Sequence, residues 1–171
     1  MSEVIHGALI LAVYPNVNGL GYAVFERHLG PVDWGMKTAR KSKHATMLRH
    51  AAWLMRLFSP AAIILPVRTT VMAGSRRLQK IAVEIEKLAT SCGTAVYWYS
   101  RTDIKAAFAQ YGAESKDAIA RAIAGLLPEF EQHVPPVRKI WMSEDYRMVL
   151  FDAVALAMTY YRDTGTYRER G

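Results

Sequence analysis

The chain has 171 residues, 51% of them hydrophobic, and a formal charge of +7 with an isoelectric point near 9.6. That is enough apolar material for one folded domain with a sizeable core, and it excludes a disordered polar chain. The single Cys92 excludes an internal disulfide, no Cys/His cluster has zinc spacing, no apolar run reaches the ~18 residues of a membrane span, and the basic balance favours a polyanionic partner.

Ala8 to Tyr14 reads as a buried strand, Pro15 to Gly19 as a tight turn, and Leu20 to Glu26 as a strand returning antiparallel. Strand 1 is apolar at nearly every position, as for a central strand covered on both faces. Pro31 to Thr38 is a third strand, with Val32, Trp34 and Met36 alternating against Asp33, Gly35 and Lys37. A basic segment leads into a helix over residues 42–58, closed by Ser59-Pro60. Ala61 to Leu65 is too short for a stable helix and reads as a parallel strand stopped by Pro66.

Ser75 is the expected N-cap of a second helix, apolar at Leu78, Ile81, Ala82, Ile85, Leu88 and Ala89 and closed by Gly93. Residues 94–99 form a fifth strand. Thr102 is the expected cap of a short helix ending near Gly112, and Ser115 that of the next, to Leu127. Residues 128–136 read as irregular and 137–141 as an extended link. Ser143 is the expected cap of the last helix, to about Tyr161, and a polar tail over 162–171 is expected to be flexible. Three antiparallel strands followed by two parallel ones with interposed helices predict a mixed five-stranded α/β sheet, helices on both faces, in a single domain over 1–171.

Several stretches carry a family resemblance. Strand 1 ends in Val13-Tyr14-Pro15-Asn16 and strand 2 contains Leu20-Gly-Tyr-Ala-Val24; later come Tyr99-Ser-Arg-Thr-Asp-Ile-Lys105, Gly112-Ala-Glu-Ser-Lys116 and Phe151-Asp152-Ala-Val-Ala-Leu-Ala157. In this order they resemble the RuvC-type Holliday-junction resolvases of the ribonuclease H-like superfamily, over about residues 8–161. The resemblance implies that fold, a homodimer, and a nuclease site with metal-binding carboxylates at the ends of strands 1 and 4 and at two positions one turn apart on the last helix; the many apolar positions of the second helix make it a candidate interface, or the cover of the sheet.

Those four positions carry Tyr14, Pro66 (or its neighbour Leu65), Val149 and Asp152. A phenol, a proline and a valine do not replace hard anionic ligands of magnesium. Asp152 is therefore the one retained candidate catalytic and metal-binding carboxylate, with Asp145, seven residues earlier, as a weaker metal candidate. In an otherwise apolar helix Asp152 requires a cleft, an ion partner or a metal. The remaining acids, among them Asp33, Glu84, Glu86, Glu114 and Glu144, do not fall at the end of strand 1 or 4.

The basic residues Arg68, Arg76, Arg77, Arg101, Lys105 and Lys116 all lie near strand C-termini or helix N-termini in this topology, the side on which open α/β sheets bind ligands and phosphate. The reading is a cytoplasmic, catalytically impaired RuvC-like protein that binds branched or structured DNA, or RNA, with no cofactor. Two alternatives stay open: a structure-selective endonuclease using Mg²⁺ or Mn²⁺ on Asp152 and relocated acids, and a protein-interaction scaffold that keeps only the fold.

Overall fold

A computed structural model describes residues 8–27, 29–67 and 73–165, with only the backbone of 73–75. Five strands form one sheet in the order β3-β2-β1-β4-β5. β1 (Ile10–Asn16) and β2 (Gly19–Glu26) pair antiparallel, as do β2 and β3 (Gly30–Thr38). The β1–β2 turn is only Val17-Asn18, and the Asn16 side chain accepts a hydrogen bond from the Asn18 amide at 2.9 Å, the local bond that suits Asn to turns. β4 (Ala62–Val67) lies parallel to both β1 and β5 (Ala95–Ser100). This is the mixed sheet expected from the sequence.

The two-residue period of the strands divides the core into two layers. Leu11, Val13, Val24, Ile63 and Leu65 face α1 (Lys43–Phe58) and α2 (Ala73–Ser91), whereas Ala12, Ala23, Phe25 and Ile64 face α3 (Arg101–Phe108), α4 (Lys116–Leu126) and α5 (Met148–Asp163). Helices therefore cover both faces. The apolar stripe of α2 is taken up by the sheet: Leu78, Ile81, Ile85 and Ala89 all belong to that core. Helix α5 is the centre of the other layer. Thirteen of its sixteen residues are buried, so it is enclosed all round, and Asp152 is the one charged side chain among them.

Several helix starts differ from expectation. Ser100, not Thr102, caps α3: its hydroxyl accepts from the Asp103 amide at 3.2 Å while Asp103 accepts from the Ser100 amide at 2.7 Å, satisfying two otherwise unpaired donors at once. Ser115 caps α4 as predicted, accepting from the Ala118 amide. Helix α2 begins at Ala73, which leaves Ser75 inside it rather than at its cap. Ser143 caps nothing, because α5 begins only at Met148; Asp145 instead accepts from the Arg147 amide at 2.9 Å and shapes the entry.

Residues 128–133, expected to be irregular, form a 3₁₀ turn. Phe130 in it is fully buried, with its ring 4.9 Å from that of Trp34 and 6.4 Å from that of Phe151. The expected extended link at 137–141 contains a tight turn, closed by the Met142 amide on the Lys139 carbonyl at 3.0 Å. At the end of the chain α5 continues through Asp163, past the expected start of the tail; Arg162 donates to the Ala107 carbonyl at 2.6 Å. Residues 166–171 lie outside the described ones.

Candidate nucleic-acid interface

Parallel pairing brings the C-terminal ends of β1, β4 and β5 to one edge of the sheet. Tyr14 stands there opposite Gly21. A Cβ on Gly21 would lie 2.2 Å from the Val149 carbonyl oxygen, so the absence of a side chain is what allows the first turn of α5 to rest on this end of the sheet. Asp152 lies one turn beyond Val149 on the same side of the helix. Pro66 is buried and alternates with Leu65, which belongs to the opposite core layer; Pro66 is thus the residue of the pair that shares the α5 side with Tyr14.

The centre of the site is a cation supplied by the chain itself. Lys116, the first residue of α4, donates from Nζ to Asp152 Oδ2 at 3.2 Å and to Glu144 Oε1 at 3.0 Å, and its Nζ lies 5.9 Å from the centre of the Tyr14 ring. Burial opposes the charge on this ammonium, but Asp152, Tyr14 and Glu144 together outweigh it and hold its pKa above the ordinary lysine value. Burial also pushes the Asp152 carboxyl up to about 6; Lys116 pulls the other way, Glu144 adds to the rise and Arg101 opposes it. At neutral pH the site therefore holds a buried carboxylate facing an ammonium, each offsetting part of the other's burial cost.

The residues present do not fit a divalent metal pair. Such ions sit about 3.5–4 Å apart and need several carboxylates that hold both. Here the two carboxylates that converge, Asp152 and Glu144, already share one ammonium between them. Among the described residues no group of three or more His, Cys, Asp or Glu is placed to hold a metal ion.

Asp145, the weaker metal candidate, is not on the face of α5 that the sequence suggested. It precedes the helix and is held by Arg147, whose Nε and Nη2 donate to its two oxygens at 2.9 and 2.8 Å. That fork, first of all, holds its carboxyl below the usual carboxylate range. Three of the other acids are engaged elsewhere: Asp33 accepts from the Tyr22 hydroxyl at 3.1 Å, Glu84 pairs with His44 and Glu86 accepts from the Trp98 indole. Those last two contacts place Glu84 and Glu86 against partners rather than on a freely solvated face. Trp98 is half-buried against the core layer of α1 and α2.

Of the predicted basic residues, Lys116 lies in the site and Arg101, at the start of α3, is near enough to act on Asp152. Lys105 is exposed one turn further along α3. Arg76 and Arg77 are exposed on α2, in the other layer of the fold, and Arg68 lies outside the described residues. Glu144, set aside in the sequence because it does not fall at the end of strand 1 or 4, is in the site. Its approach depends on a long aperiodic segment, and the acidic pair Glu144-Asp145 just ahead of the apolar helix was the available signal.

By sequence, no protein-family profile and no characterised protein matches the chain. Solved structures do match by shape. A Thermus thermophilus RuvC structure superposes with a TM-score of 0.68 at 17% identity, covering 95% of this chain and 99% of that one. The chain has the fold of the RuvC-type resolvases. The yeast mitochondrial Holliday junction resolvase Ydc2 gives a TM-score of 0.67 at 10% identity, covering 96% of this chain and 82% of that one. Fowlpox virus resolvase, solved with its substrate Holliday junction DNA, gives 0.57 at 14% identity over 90% and 99%. Among the described residues no helix is long and apolar enough to cross a membrane.

Proposed function

We propose that this RuvC-like chain binds branched DNA without cutting it. The observation that carries the reading is the Lys116 ammonium lodged between Asp152 and Glu144, at the sheet edge where Tyr14 and Pro66 stand at the strand ends. A divalent ion would have to displace a charge that the protein supplies from α4. The positive balance of the chain and the resolvase fold support a nucleic-acid partner, and the complex of the fowlpox protein with junction DNA supports the branched form. A four-way junction is two-fold symmetric, so the bound species in this proposal is a homodimer presenting one edge to each half.

The test is a titration of the chain against a four-way junction, a duplex and a single strand over a range of salt. Binding that is tightest for the junction and falls steeply with salt supports the proposal. Equal affinity for all three, or none at low salt, refutes it. A second reading, a metal-dependent structure-selective endonuclease, has one observation in its favour: Asp152 and Glu144 converge on a single point. Strand breaks that require Mg²⁺ or Mn²⁺ and vanish in Asp152→Asn identify that case.

A further inference from the structure

The segment between the 3₁₀ turn and α5 has a feature that the site does not use. It is fastened at one end by buried Phe130 and Pro135, and at the other by the Glu144–Lys116 and Asp145–Arg147 pairs. Between these anchors the Lys139–Met142 turn places Ile140 and Trp141 at its two corner positions. Corner positions ordinarily carry Gly, Pro, Asn, Asp or Ser. Here two large apolar side chains project from the tip, Ile140 100% and Trp141 79% exposed. Exposed apolar side chains grouped in this way mark a contact surface.

Charge decides the class of partner. Residues 134–142 contain Arg138 and Lys139 and no acid. Of the two acids that follow, Asp145 is paired with Arg147 at 2.8 Å and Glu144, 3.0 Å from Lys116, shares that ammonium with Asp152, whereas no ion pair among the described residues involves Arg138 or Lys139. Lys139 Nζ lies 5.4 Å over one face of the Trp141 ring, so a cation with no carboxylate partner sits at the indole itself. A cavity of about 580 Å³, lined by the cations Arg138 and Lys116 and the acids Asp117, Glu144 and Asp145, opens beside this segment. An aromatic face beside cations is the arrangement that holds an unstacked base while its phosphates are neutralised.

We infer that residues 137–142 form a stacking arm, in which Trp141 covers an exposed base at the branch point while Arg138 and Lys139 engage the adjoining phosphates. This rests on the branched-DNA reading and adds to it the means by which a junction is told from a duplex. Paired, stacked bases offer the indole no free face.

The test uses the full-length chain and a four-way junction carrying 2-aminopurine at the crossover. Trp141→Ala should weaken junction binding roughly 5- to 100-fold and leave duplex affinity unchanged, and Trp141→Phe should retain most of the affinity. The 2-aminopurine signal should change on binding wild type and Trp141→Phe but not Trp141→Ala. Ile140→Ser serves as a second variant at the same tip and should reduce junction preference in the same direction.

Should wild type bind the junction and Trp141→Ala bind it equally well, the arm is overturned and the functional reading stands. Equal weakening on duplex and junction also overturns it, since the tip would then contribute no discrimination. A change in the mass of the free protein on substituting Trp141 makes the tip a protein interface and overturns the arm. Failure of wild type to bind any junction overturns the functional reading and the arm together.

Discussion

Replacing Asp152 with Asn keeps the side-chain shape and removes the buried charge. The folded carboxyl sits at about 6 against an ordinary 3.8, a difference of about 3 kcal/mol at about 1.4 kcal/mol per tenfold. Because the folded value is the higher one, the folded chain retains a proton that the unfolded chain has lost between about pH 4 and pH 6. Stability from this group therefore falls as pH rises through that window. The wild-type chain bears the full cost at neutral pH, and the Asn variant bears none. Urea unfolding of both proteins from about pH 4 to about pH 7 should show the stability of Asp152→Asn, relative to wild type, rising by about 3 kcal/mol across the range. A difference that is flat with pH, or that moves against the variant toward neutrality, refutes the reasoning, because it would mean that Lys116 offsets the burial in full or more than in full.

Lys116→Met removes the partner cation and leaves Asp152 uncompensated. Since a third of the Lys116 side chain is exposed, the expected loss is about 1–3 kcal/mol at pH 7, and it should shrink near pH 5 where Asp152 is protonated; thermal unfolding at the two pH values measures both. Gly21→Ala drives a Cβ against the Val149 carbonyl and should destabilise by about 3 kcal/mol, read from the urea midpoint, with a loss of junction affinity as α5 is displaced.

The parts of this protein that could be read from its sequence are those governed by short-range rules. The β1–β2 hairpin, the parallel strands around Ile63-Ile64 and Tyr97, and the Ser115 cap all follow from period, turn chemistry and capping. Lys116 and Asp152 were visible as an exposed-looking base at a helix start and an isolated acid in an apolar helix. What joined them was not visible. Glu144 reaches Lys116 from a loop that follows Phe130, whose ring docks between Trp34 and Phe151. No periodicity encodes such a path.

The misread start of α5 has the same origin. Ser143 has the right chemistry for a cap, but the Asp145–Arg147 fork and the Lys116–Glu144 bond hold residues 143–147 out of the helix. Ser100 displaced Thr102 as a cap because Asp103 stands three residues after it and not after Thr102, a local rule that was legible in the sequence.

The central claim is that the chain's own ammonium stands in place of a metal. Junction affinity should be measured in EDTA and again with Mn²⁺ at matched ionic strength, with the DNA strands resolved on a denaturing gel. The account predicts the same affinity in both and intact strands throughout. Tightening by Mn²⁺ accompanied by nicks at the junction, both lost in Asp152→Asn, would contradict it.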